Sequence, residues 1–184
     1  MRVEQTVSNT IFGNSFESNS TAGVHVISAG GGWNTFRKNR FGPLNGLYGM
    51  GIGNSPGNVV DGSNVFFRNP VGIEVGYNSG QMDGQRIAGN VFYSNTTAGI
   101  RVPRADPSNS IIVSNRIFGP GQAVGILLTN QSGAPNKIRI VRNLIYSHGA
   151  EGIRQRAGTN IFYIGNVLYK NVGDGFAVYN GAVY

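Results

Sequence analysis

The stretch Arg86 to Val102 reads RIAGNVFYSNTTAGIRV. Ile87 precedes Asn90, Phe92 follows two places later, and Gly99-Ile100-Arg101-Val102 closes the stretch. The same arrangement recurs along the whole chain. Asn14, Asn39, Asn64, Asn90, Asn115, Asn143 and Asn166 occupy the same place, at intervals of 25, 25, 26, 25, 28 and 23 residues. A period of this length marks a stack of repeated structural units.

Aligned on that asparagine, the repeats share further columns. Two places after it stand Phe16, Phe41, Phe66, Phe92, Ile117, Ile145 and Leu168. Eight to ten places after it a glycine appears, as at Gly72, Gly99 and Gly125, followed by Val24, Met50, Ile73, Ile100, Ile126, Ile153 and Phe176. Two residues on come Val26, Ile52, Val75, Val102, Leu128, Gln155 and Val178. This alternation predicts strands with one buried face. Ile11, Phe36, Ile87, Ile112, Ile140 and Tyr163 form one more apolar column, which Val59-Val60-Asp61 joins with a one-residue shift.

No single repeat can bury its own apolar side chains, but stacked coils can, each strand pairing with its equivalent in the next. Short connections between parallel strands exclude βαβ crossovers. The prediction is an all-β parallel solenoid of about seven coils with an all-apolar interior, in which the asparagines form a ladder of amides. The pattern G-N-x-F-x-x-N-x-x-x-G-I-x-V resembles the repeat of the right-handed parallel β-helix proteins of the pectate-lyase-like superfamily. The resemblance covers essentially the whole chain and implies a right-handed, three-faced solenoid. That superfamily holds lyases, hydrolases, epimerases, tailspikes and adhesins, so the likeness speaks to fold and leaves activity open.

The bulk composition agrees. The 184 residues include 29 Gly, 12% charged and 40% apolar residues, and suit a single domain, 1–184. Disulfides and thiolate metal sites are excluded by the absence of cysteine. No apolar run reaches membrane-spanning length, and MRVEQTVSNT has no hydrophobic signal region. With no amphipathic cap at either end, the expectation is a segment of a longer protein, secreted or at the cell surface, or a subunit that associates end to end. The net charge of +7 favours an anionic partner. Polar loops at 76 to 85, 103 to 110 and 129 to 136 should project side by side.

Candidate site residues follow from the outward columns. After the glycine-apolar pair come His25, Gly51, Glu74, Arg101, Leu127, Arg154 and Ala177, so Glu74 should stack beside Arg101 and pair with it. Phe67, Tyr93, Phe118, Tyr146 and Tyr169 should form an outward aromatic strip able to stack on sugar rings or bases. Basic residues are densest from Lys137 to Arg156. Arg101-Val102-Pro103-Arg104 partly resembles the R-x-P-x-x-R segment of pectate lyases, with Asp106 where the second arginine would stand. That resemblance implies Arg101 or Arg104 as base, assisted by Glu74 or Asp106, with calcium as the possible cofactor. The Asp pairs of polygalacturonases and the Asp-Pro-His signature of alginate epimerases are absent. His25 and His148 fall in distant coils, so no metal site is predicted.

Two readings result. One is a carbohydrate-interacting β-helix that binds or processes an acidic polysaccharide through Arg101, Arg104, Arg154 and Arg156, with Tyr93 and Tyr146 as stacking surfaces and no nucleic-acid partner. The other is a non-catalytic module of an adhesin, tail fibre or stacked filament.

Overall fold

The computed structural model describes residues 1–27, 31–77, 83–104, 108–132 and 135–179. Their strands form three parallel sheets, so each repeat folds into three strands separated by corners. The first sheet has eight strands: Arg2–Glu4, Ala22–Ile27, Tyr48–Gly53, Val71–Val75, Ala98–Arg104, Val124–Ser132, Ile153–Gln155 and Phe176–Val178. The second has seven, from Thr10–Phe12 to Phe162–Ile164, and the third seven, from Ser15–Phe16 to Val167–Tyr169. After the initial strand the chain makes seven strand triplets, hence about six full turns from first triplet to last.

Register follows the aligned columns. Ile73 pairs with Met50 and Ile100, and Phe92 with Phe66 and Ile117. Val60 pairs with Phe36 and Ile87, confirming the one-residue shift; Gly62 and Ser63, both at φ 69°, take up the extra residue. Inside, Phe16, Phe41, Phe66 and Phe92 stack with centroids 4.4–5.2 Å apart. The interior is not wholly apolar. Gln155 enters it at 4% exposure, and its Oε1 accepts from the Tyr163 hydroxyl at 2.8 Å. The hydrogen bond is what lets a polar side chain stand in a core column.

The predicted ladder runs through all seven asparagines. The backbone N–H and Nδ2 of each donate to the Oδ1 of the next, as from Asn39 to Asn64 at 2.9 and 3.1 Å. Two further ladders, not predicted, occupy the other corners. One runs Asn19, Asn45, Asn69, Asn95, Gln122 and then His148; the other runs Asn9, Asn34, Asn58, Gln85 and Ser110. The residue before most ladder positions is left-handed, including non-glycines such as Lys38, Arg68 and Trp33 at φ 52°, 51° and 53°. This turn carries the chain around the corner and brings the following amide beneath its counterpart, whose hydrogen bonds offset the conformational cost.

The recurrent glycine that opens the first-sheet strands has another cause. A Cβ on Gly72 would lie 2.4 Å from the carbonyl oxygen of Gly99 and 2.8 Å from Phe92 Cδ1. Close packing of successive coils, rather than a positive φ, requires glycine there.

Candidate functional site

The outer face of the first sheet carries two columns. Ala22, Tyr48, Val71, Ala98 and Val124 form an apolar one. Beside it run His25, Gly51, Glu74, Arg101, Leu127 and Arg154, in the order alternation predicted. Glu74 and Arg101 are direct register partners, and Arg101 Nε and Nη2 both contact Glu74 Oε2. Glu74 is only 4% exposed. Burial pushes its carboxyl above the ordinary range, and the nearby charges of Arg101 and Arg104 only partly offset that. Arg104 follows a register shift after Val102, and its charge acts on the same carboxyl.

On the other side of Glu74, Gly51 leaves a notch that two rings occupy. A Cβ there would meet His25 Cδ2 at 3.1 Å and Tyr48 Cδ2 at 3.2 Å. Tyr77 stacks on His25 with centroids 5.0 Å apart and planes within 8°. Burial, then the charges of Arg2 and the N-terminus, lower the His25 pKa and favour the neutral ring. Burial and the Glu74 charge raise that of Tyr48. A neutral imidazole, two phenols, a buried carboxylate and two guanidiniums thus share one face. Simple alternation would turn Tyr48 inward with Met50; the alternation breaks at Gly49, where a Cβ would face Phe41 in the core, and this puts Tyr48 outside. Nothing in the spacing pointed to Tyr77, which lies beyond its strand.

The other candidates fall elsewhere. Leu127 separates Arg101 from Arg154, whose Nε donates to Glu151 Oε2 at 2.8 Å. Arg154 and Arg156 both approach the Tyr179 ring, at 5.9 and 5.7 Å, and the Tyr179 hydroxyl contacts Glu151. Burial raises the Glu151 pKa, but hydrogen bonds from Arg154 and Tyr179 outweigh it and leave the carboxyl below its usual range. Tyr93 and Tyr146 lie on the third sheet, not the face that holds Arg101. Their column is stacked as predicted, Phe67 through Tyr169, with centroids 4.9–5.6 Å apart. The rings lie on one another, so the column offers edges and hydroxyls rather than open faces. Arg116 Nε donates to the Tyr146 hydroxyl at 2.9 Å. Asp106 lies outside the described residues, and among those described no three His, Asp or Glu side chains gather to hold a metal ion.

The fold and this face define a three-sided parallel β-solenoid with a charged and aromatic cluster on its longest sheet. The chain belongs to the right handed beta helix region family, whose model matches residues 3–168. Among solved structures it is similar to a periplasmic alginate epimerase, AlgG, at 15% identity and a TM-score of 0.75, and to the T265N mutant of that enzyme at 14% and 0.71. These cover 100% and 99% of this chain but 47% of the epimerase chains, so the likeness spans less than half of each. Against curated protein sequences the chain gives no match.

Proposed function

We propose that the protein is a carbohydrate-interacting β-helix that holds an acidic polysaccharide on the outer face of the first sheet. One observation carries this reading: the buried Glu74 carboxylate, paired with Arg101 and within reach of the Arg104 charge, shares the outer face of the first sheet with the cluster of His25, Tyr48 and Tyr77 rings beyond Gly51. A uronate carboxylate brought to the guanidiniums would find charge-assisted donors, and Glu74 holds Arg101 in place for it. The structural likeness to an alginate epimerase supports a polysaccharide partner, and that enzyme's periplasmic setting supports a secreted or surface location.

If the face also processes its polymer, a lyase-type reaction is the class that fits. An arginine stays protonated at neutral pH, so Arg101 or Arg104 is better suited to neutralise the uronate carboxylate than to act as the base. His25, held neutral, stands two rungs from Glu74, about 10 Å away, and is the better-matched proton acceptor. Calcium belongs to this proposal only as a possible cofactor of lyase chemistry.

The test is retention in gels containing alginate or polygalacturonate, with absorbance of unsaturated uronate products followed with and without calcium. The Glu74→Gln/Arg101→Gln double variant should be retained clearly less than the parent. Unchanged retention would overturn the assignment of this face; retention without new absorbance would leave binding and remove the lyase.

A second reading, a structural module that stacks end to end, is favoured by the polarity of the ladders. Along the Asn14-to-Asn166 ladder the backbone N–H and Nδ2 of each rung donate to the Oδ1 of the next rung toward the C-terminus. Head-to-tail contact of copies would continue the ladder in the same direction. A strict monomer by light scattering at high concentration would exclude it.

A further inference from the structure

At the corner between the first and second sheets, Trp33, Gly57, Gly84, Asn109, Lys137 and Asn160 follow one another up the solenoid, all left-handed at φ 51–72° for those where a side chain or glycine turns the corner. The two glycines interrupt the side chains of this column and leave an open groove of about 450 Å³ between Trp33 and Asn109, with Asp83 on its wall. Trp33 is 59% exposed. Its indole fills the place of the missing Gly57 side chain, since a Cβ there would lie 2.6 Å from Nε1 and 2.7 Å from Cδ1. The ring is therefore supported by backbone on one side and offers the groove an apolar surface. From Asn109 a second concavity of about 440 Å³ continues to Lys137, Arg139 and Phe162.

The chemistry changes along this path. A broad aromatic surface stands at one end, an acceptor-only carboxylate and an amide follow, and two cations stand at the far end. A pyranose presents a C–H face to an aromatic ring and a rim of hydroxyls that both donate and accept. A nucleic acid would bring phosphate against Asp83, which disfavours it. Rungs are about 4.8 Å apart, close to the length of one sugar residue, so successive sugars meet successive rungs. We propose that this corner is a saccharide-binding site separate from the Glu74 face, taking a short segment of chain laid along the solenoid axis. One sugar packs on Trp33, hydroxyls bond to Asp83 and Asn109, and an acidic sugar meets Lys137 and Arg139. The partner class is shared with the proposed function; the place and the residues are not.

Trp33 is the chain's single tryptophan, so its fluorescence reports on this groove alone. The protein is titrated with tetramers of mannuronate, galacturonate and, as a neutral probe, cellotetraose. At least one uronate tetramer should change the emission saturably. Lys137→Ala should weaken that uronate by about fivefold or more while leaving cellotetraose unaffected, and Asp83→Ala should weaken both. Gly57→Ala, which displaces the indole, should abolish the response with the circular dichroism spectrum retained. The Glu74→Gln/Arg101→Gln variant should titrate like the parent, so failure of the first-sheet face, read by gel retention, is distinguished from failure here. No saturable change with any tetramer overturns the proposal, as does a change that disappears in that double variant. A response to cellotetraose alone overturns the acidic-sugar assignment at Lys137.

Discussion

The backbone N–H and the Nδ2 of Asn90 both donate to one acceptor, Asn115 Oδ1, at 3.0 and 3.2 Å. Asn90 Oδ1 in turn accepts both donors of Asn64, at 3.2 and 2.9 Å, and its Nδ2 also reaches the Val60 carbonyl at 2.7 Å. Asn90→Leu removes the acceptor for Asn64 and a donor to Val60, in a corner where Asn90 is 1% exposed. Each buried polar group left without a partner costs about 1–3 kcal/mol. Urea unfolding should show a large loss of stability, with unchanged retention of the folded protein in polysaccharide gels. A variant that unfolds like the parent but loses retention would refute a purely structural ladder.

The glycine that opens a strand should be equally intolerant. At Gly99 an added methyl would lie 2.6 Å from Ile117 Cγ2 and 3.0 Å from the Gly125 carbonyl oxygen, whereas at Gly121 it would meet nothing within 4 Å. Gly99→Ala should cost about 1–3 kcal/mol through overpacking, and Gly121→Ala should be nearly neutral. Equal unfolding midpoints for the two variants would contradict this packing account.

His148 carries a pH dependence. It is 1% exposed within an amide ladder, and burial lowers its pKa from 6.5 to about 4, against smaller raising effects of backbone groups at Ile117 and Gln122. The unfolded chain therefore binds the extra proton first. The neutral ring's contribution is fully present above pH 6.5 and is lost as pH falls toward 4, by about 3 kcal/mol in all. His25, whose pKa is also lowered, acts with the same sign, so the measurement is a difference. Between pH 7 and 4 (about the span of this titration), His148→Gln should lose less stability than the parent, because glutamine already serves this ladder at Gln122. Parallel losses would rule out His148 as the source.

Glu74 titrates with the opposite consequence. Its raised pKa favours the protonated form in the folded state, so its effect on stability is best below pH 4.5 and worsens as pH rises through the folded value. Arg101→Gln removes the main compensating charge, and the gap in melting temperature between variant and parent should widen as pH rises above 4.5. The cost at neutral pH should reach up to about 3 kcal/mol, below that of a fully buried pair because the Arg101 side chain is 25% exposed. Adding Glu74→Gln should recover most of it. A gap that stays constant with pH would show that Arg101 acts through packing alone.

The sequence by itself determined the coil, the inner columns, the Asn14-to-Asn166 ladder and the Glu74–Arg101 pairing. In a solenoid stacked in register, residues one period apart become spatial neighbours, so spacing along the chain is read directly as contact. Tertiary structure alone decided what depends on the corners and on side-chain direction. Three corners, rather than the repeat itself, place Tyr93 and Tyr146 on a different sheet from Arg101. Ring stacking turns the outer aromatic column edge-on, and His148 joins an amide ladder because its corner is buried. Tyr77 meets His25 from beyond the end of a strand, and Trp33 lies on Gly57 because that coil lacks a side chain there. Tyr77 and His25 share no column, and within a shared column the packing of Trp33 depends on which coil lacks a side chain, so period alone does not encode these contacts.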